Sequence, residues 1–241
     1  MSESRIRIVS LYPTILGTYG DGGNVLALQH RARLHNLATD VIEIDPGMGI
    51  PRDGDLYVLG GGEDTAQVAA AAALRQDGSL ASAIERGAAV LAICAGYQLL
   101  GETFPDATGT PSPGVGVLDI WTDRLPRRAV GELAADPAPN APTGITATFT
   151  GYENHAGHTH LGAAAQPLAV VRVGIGNGDQ TEGAVMGRVI GTYLHGPALA
   201  RNPQLADRLL GWVVDQDLPT IIEPEVEELR RERLASVLRR P

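Results

Sequence analysis

The chain carries a single cysteine, Cys94, and six histidines, so covalent chemistry through sulfur must run through one atom. Cys94 sits in Ala89-Val90-Leu91-Ala92-Ile93-Cys94-Ala95-Gly96-Tyr97-Gln98. A short apolar run reads there as a buried strand, meets small residues at 92, 95 and 96, and passes into a helical pattern. This is the layout of a nucleophile elbow, with the cysteine on the sharp turn between strand and helix. The free N–H groups of the following helix favour a thiolate at the corner. The Ala95 N–H would point at an oxyanion forming beside it. A lone cysteine in an apolar run also reads as an inert core residue; the small neighbours at the corner argue for the catalytic reading.

A partner for the thiol comes late in the chain. His195 ends a strand-like run in Gly191-Thr192-Tyr193-Leu194-His195-Gly196-Pro197, where an imidazole could reach a thiol on a neighbouring strand end and act as its base. Gly60-Gly61-Gly62-Glu63-Asp64 follows an earlier apolar run. Consecutive glycines allow close backbone approach, and their N–H groups form an anion cradle. The cluster Tyr152-Glu153-Asn154-His155-Ala156-Gly157-His158-Thr159-His160 places three histidines close together. No second ligand pair at a metal-binding spacing accompanies it, so it reads as a substrate-binding loop, with Tyr152, Asn154 and His155 as contacts and no metal.

Elements able to hold these residues follow from the apolar periodicity. Strands are expected at 5–9, 41–44, 56–59, 89–94, 117–121, 145–149, 168–173 and 189–194, and helices at 25–37, 65–75 and 80–86. Continuous apolar runs such as Leu56-Tyr57-Val58-Leu59 suit strands covered on both faces. Their alternation with helices predicts parallel pairing with right-handed crossovers. In such sheets ligands sit beyond the strand C-terminal ends. Segments 103–116 and 134–144, rich in Pro, Gly, Ala and Asp, read as loops. Asp21-Gly22-Gly23-Asn24 reads as a turn that starts the first helix. Asn202-Pro203 supplies an N-cap and first-turn proline for a helix with a Leu205, Leu209, Leu210, Val213, Val214 stripe. The expected architecture is one α/β/α domain over 1–222 and a helical tail over 223–241. Acidic residues lead that tail and arginines follow, with Glu227 able to meet Arg231.

Composition removes whole classes of function. The chain has 241 residues and a net charge of −9, which disfavours a nucleic-acid backbone as a general partner. All 19 basic residues are arginine, so neither a Schiff-base lysine nor a P-loop lysine exists. If the reaction uses ATP, a partner is expected to handle the nucleotide. No apolar run approaches the roughly 20 residues of a membrane span, and no secretory leader is recognisable. The single cysteine agrees with a reducing, cytoplasmic setting.

Cys94-Ala95-Gly96-Tyr97-Gln98, the Gly60–Asp64 loop and Tyr193-Leu194-His195-Gly196 together resemble the class I glutamine amidotransferases, in the cobyric acid synthase branch. With Asp21-Gly22-Gly23-Asn24 and Tyr152-Glu153-Asn154-His155-Ala156-Gly157, the chain is similar to the glutaminase subunits of bacterial lipid II isoglutaminyl synthases. The resemblance runs from Arg5 to about Leu218. It implies that Cys94 attacks the side-chain amide of L-glutamine and His195 serves as base and then acid. Gly61, Gly62 and Ala95 would form the oxyanion hole, while Gln98 and Arg128 would place the substrate. It further implies no cofactor in this chain. A MurT-type, Mur-ligase-like partner would hold ATP and magnesium and amidate the D-glutamate α-carboxyl of membrane-bound lipid II in a heterodimer.

An amidotransferase for a corrinoid, a standalone thiol hydrolase and a non-catalytic regulatory subunit are the alternatives. The resemblance breaks at one place. The class usually carries His-x-Glu, whereas this chain has His195-Gly196-Pro197. The acid that orients the imidazole is then expected from the partner chain, or else from Glu153.

Overall fold

The computed structural model describes residues 5–18 and 20–239. The first half of the chain alternates as expected: β1 (Ile6–Leu11), α1 (Gly23–Leu34), β2 (Thr39–Ile44), β3 (Leu56–Leu59), α2 (Asp64–Asp77), α3 (Ser79–Glu85), β4 (Ala89–Ile93) and the short α4 (Ala95–Leu99). After a small ribbon, β5 (Thr103–Pro105) and β6 (Pro111–Pro113), come β7 (Ile120–Pro137), β8 (Phe149–Leu161), β9 (Ala169–Val173), β10 (Thr181–Glu182), β11 (Ala184–Met186) and β12 (Val189–Thr192). The chain then turns helical through α5 (Ala198–Arg201), α6 (Pro203–Val213) and α7 (Pro224–Leu238).

The main sheet has the order β11-β12-β4-β3-β1-β2. All neighbours are parallel except β11, which runs antiparallel on the edge. Every residue of β3, β4 and β12 is buried, which is why these strands read as unbroken apolar runs. From β1 the chain goes outward to β2 and then returns to β3 on the other side of β1. The order reverses there, and a crevice opens at the strand C-terminal ends. Four parallel neighbours, β1, β3, β4 and β12, therefore deliver the residues that follow them to one place. The expected α/β fold with a mostly parallel central sheet is what the chain forms. Leu205, Leu209 and Leu210 of α6 are fully buried, as their stripe requires.

A second sheet, β10-β9-β7-β8, is antiparallel, and it corrects several expectations. Of the strands expected at 117–121 and 145–149, only 120–121 and 149 are strand, at the starts of β7 and β8 of a long hairpin. Most of 145–149 is instead irregular, and 134–137, expected as loop, is the end of β7. The histidine-rich cluster is not a loop either: Tyr152 to His160 lie inside β8. Segment 103–116 contains the β5–β6 ribbon. In the tail, Glu227 meets Arg230 at 3.6 Å and Arg231 meets Glu228, so the expected Glu227–Arg231 pair does not form. No helix among the described residues is long and apolar enough to cross a membrane.

Candidate active site

Asp21 follows β1, Gly61 follows β3, Cys94 follows β4 and His195 follows β12. Cys94 is the elbow the sequence predicts. Its φ of 52° and ψ of −104° lie outside strand and helix, a strained corner of the kind kept where function requires it. The corner is fixed by Cys94 N–H to Thr192 O at 2.8 Å and Gly96 N–H to Gly60 O at 3.2 Å. A Cβ on Gly96 would come within 2.8 Å of that Gly60 oxygen, so only glycine admits the approach.

His195 reaches this corner from β12 and is held on three sides. Its N–H and C=O exchange hydrogen bonds with Tyr152 of β8, at 2.8 and 3.1 Å. Just before it, buried Glu182 accepts from the Thr192 hydroxyl and, at 2.9 Å, from the Tyr193 N–H. Burial pushes the Glu182 carboxyl up to about 7. The third hold is on the ring: His195 Nδ1 lies 3.0 and 3.1 Å from the two carboxylate oxygens of Asp21. Both side chains are buried. Asp21 also accepts the Gly61 N–H at 2.7 Å.

These contacts set the charge of the pair. Burial alone would lower the His195 pKa, but hydrogen bonds to Asp21 and Cys94 and the attraction of both groups outweigh it and raise it to about 10. These partners therefore favour the protonated form of His195 at neutral pH. A folded-state pKa raised above the ordinary 6.5 adds stability that is full below that value and lost as pH rises through about 10. Denaturant titrations from pH 6.5 to 10 should show this loss. It should be smaller in Asp21→Asn.

The cavity above Cys94 is lined by Gly61, Gly62, Ala95, Gln98, Arg128, Asn154 and His155, among others. Arg128 reaches it because β7 bulges between Arg124 and Ala129 against β8. Asn154 steadies the guanidinium, accepting from Nε at 2.6 Å through Oδ1 and from Nη2 at 3.3 Å through its backbone oxygen. That backbone oxygen also lies 3.9 Å from Cys94 Sγ. A thiol, backbone donors and a cationic clamp on one cavity, with a buried His–Asp pair behind the thiol, form the equipment for acyl transfer from an amide.

The comparisons with known proteins agree. Residues 7–203 match the model of the CobB/CobQ-like glutamine amidotransferase domain. The chain belongs to the CobB/CobQ-like glutamine amidotransferase family. It is 37% identical over 199 residues to the lipid II isoglutaminyl synthase (glutamine-hydrolyzing) subunit GatD of Staphylococcus aureus, covering 81% of this chain and 79% of that one. The GatD subunit of Streptococcus pneumoniae is 31% identical over 238 residues, 96% of this chain and 89% of its own. A solved glutamine amidotransferase from Thermotoga maritima shares the fold at a TM-score of 0.56 and 16% identity, over 98% of this chain and 91% of that one.

Within this amidotransferase, the site residues expected from sequence fare unequally. Cys94, Gly62, Ala95 and Arg128 line the cavity; His195 is buried behind it against Asp21 and, like Arg127, is not part of its lining. Gly61 also lines it, but its N–H points to Asp21, which removes it from the expected oxyanion hole. What Gly61 supplies is space: a Cβ there would stand 2.9 Å from His195 Cε1 and 3.1 Å from Asp21 Oδ2. Gly61→Ala should lower kcat for glutamine by at least ~10-fold, which steady-state kinetics would read.

Gln98 lines the cavity with its amide already engaged, accepting from Gln67 Nε2 at 2.9 Å and donating to the Tyr193 hydroxyl at 3.0 Å. His155 is buried and stacked on Tyr193 at 3.6 Å, with Nδ1 3.0 Å from Gly157 O. Tyr152 is not part of the cavity lining; its backbone holds His195 instead.

The orienting acid overturns the expectation most clearly. Neither a partner chain nor Glu153 is needed beside His195. Glu153 accepts the N–H groups of Ile175 and Gly176 at 2.8 and 2.9 Å, and Asp21 takes the place beside the ring. Among the described residues, no group of three or more metal-binding side chains converges.

Proposed function

We infer that this amidotransferase is a glutaminase subunit: it releases ammonia from L-glutamine at Cys94 and passes it to a separate ligase subunit. The observation that carries the reading is the Cys94–His195–Asp21 arrangement, completed within one chain. The similarity to GatD subunits over most of the chain supports lipid II as the acceptor, amidated at the α-carboxyl of its D-glutamate. The partner is then a Mur-ligase-like, MurT-type protein that uses ATP and magnesium in the cytoplasm, while this chain needs no cofactor.

The chemistry follows from the geometry. Arg128 holds the α-carboxylate of glutamine by a forked pair of hydrogen bonds, which points the side-chain amide at Cys94. The thiolate adds to the amide carbon, and the oxyanion forms against the N–H groups of Gly62 and Ala95. Because His195 already holds a proton, its first task is that of acid. The C–N bond breaks as His195 gives its proton to the leaving nitrogen, and ammonia departs from a thioester. Neutral His195 then takes a proton from water as hydroxide adds to the thioester carbon. Collapse expels the thiolate, glutamate leaves, and the ion pair is restored. Asp21 holds Nδ1 throughout, which fixes the ring and stabilises its charged form.

The test supplies amide-15N glutamine, ATP, the candidate ligase and a lipid II acceptor in a large excess of unlabelled ammonium. The reading predicts 15N in the D-glutamate amide at near-full enrichment, lost in Cys94→Ser. Label in a corrinoid amide instead, or unlabelled product, would contradict it.

A further inference from the structure

The segment after α6 lies beyond the family domain, which ends at residue 203, and the mechanism does not use it. Its charged side chains nevertheless land on α1 and at the end of α5, the helices that follow Asp21 and His195. Glu223 lies 2.6 Å from His30 Nε2 and accepts from Arg31 Nη1 at 2.8 Å. Arg31 is 2% exposed. It also grips Asp207 of α6 through two nitrogens at 2.8 and 2.6 Å, and the Ile221 backbone at 3.0 Å. These ties fix α1, whose first residue lies two positions after Asp21.

Arg230 of α7 acts on the other element. It is 5% exposed and donates to Arg201 O, to Asn202 Oδ1 at 3.0 Å and to Thr148 O at 2.8 Å. Asn202 in turn binds the N–H and C=O of Thr150, at 3.0 and 2.9 Å, and Ala198 O at 2.8 Å. Arg230 thus closes a staple between α5, just after His195, and the start of β8, whose Tyr152 pairs with His195. Arg233 adds a third tie, 3.6 Å from Glu132, which also holds Arg201 at 3.1 Å. Arg201 packs under the turn after His195: a Cβ on Gly196 would meet its Cδ at 3.1 Å.

A solvated or partner-seeking tail would have no reason to bury an arginine whose pKa burial lowers. We propose that residues 221–238 are a clamp on the Asp21–His195 pair. Arg230 is its main positioning residue, acting on His195 through Asn202 and α5, while Glu223 acts on Asp21 through Arg31 and α1. The proposal rests on the roles given above to Cys94, His195 and Asp21.

The test uses the full chain with Arg230→Met, Glu223→Gln, the conservative Arg230→Lys and, as control, Arg231→Ala on the exposed face. Glutamine kinetics and the pH dependence of Cys94 alkylation by iodoacetamide are measured well below the unfolding temperature. Arg230→Met should lower kcat by ~10- to ~100-fold with KM held within about twofold. Its alkylation profile should shift toward that of Asp21→Asn. Arg230→Lys should recover part of both, and Arg231→Ala should change neither.

A lower Tm with unaltered kcat and alkylation profile would overturn the clamp, as would a loss confined to association with the ligase. Should Arg230→Met fail to fold, Glu223→Gln decides by the same readouts. Absence of glutamine turnover in the unsubstituted chain would count against the proposed function instead, because the alkylation profile reads the Cys94–His195 pair without glutamine.

Discussion

Asp21→Asn is expected to reduce kcat for glutamine hydrolysis by roughly 10³- to 10⁴-fold while KM changes by no more than a few fold. The substitution keeps the shape of the side chain and an oxygen for the Gly61 N–H. It removes the negative charge that Nδ1 faces at 3.0 and 3.1 Å. Two consequences separate this from loss of stability. The His195 pKa should fall from about 10 toward its ordinary 6.5, so the pH profile of thiol reactivity should move with it. Glu153→Gln, on the acid that holds Ile175 and Gly176, should leave that profile in place. If the orienting acid came from a partner chain, Asp21→Asn would cost the free chain little.

Arg128→Met is the second large effect and lies on the other kinetic parameter. A forked, charge-assisted contact to the substrate carboxylate persists from bound substrate to transition state. Its loss should therefore raise KM by ~10- to ~100-fold and leave kcat nearly unchanged. Arg127→Met should do neither, because Arg127 is not part of the cavity lining. Asn154→Ala, which frees the guanidinium from its 2.6 Å contact, should raise KM by less than Arg128→Met does. Initial-rate kinetics with glutamine resolve all three. Glutamate as a product inhibitor offers a check, since it carries the same α-carboxylate and should weaken in parallel.

Both predictions bear on how far the sequence reveals this molecule. The buried parallel strands were legible because each is apolar along its length, and the elbow because small residues crowd around Cys94. The β7–β8 hairpin was hidden by its own chemistry. Alternate residues of β8 face inward, but the inward set includes Glu153, His155 and Thr159. Each is polar and takes at least one hydrogen bond, so the period-two signal of a half-buried strand is masked.

Asp21 was hidden by distance. A search for an acid beside His195 in sequence misses it, because the partner sits 174 residues earlier in the connection between β1 and α1. The signal was present: an acid in Asp21-Gly22-Gly23-Asn24, in the turn before α1, on the connection that leaves β1 where the sheet reverses its order. The tail misled differently. Helical charge spacing pointed to a solvent pair between Glu227 and Arg231, whereas the arginine that matters, Arg230, faces inward and carries no apolar mark of burial.

On the proposed function, this chain alone builds an activated thiol in a glutamine pocket. The most direct test is intact-mass labelling of the isolated chain with a glutamine-mimicking electrophile, with iodoacetamide in parallel and Cys94→Ser as control. One stoichiometric adduct on Cys94 is expected, suppressed by glutamine and slowed sharply in Asp21→Asn. Labelling by iodoacetamide alone, or a mimic adduct that forms only when the ligase is added, would contradict it and return the missing acid to the partner.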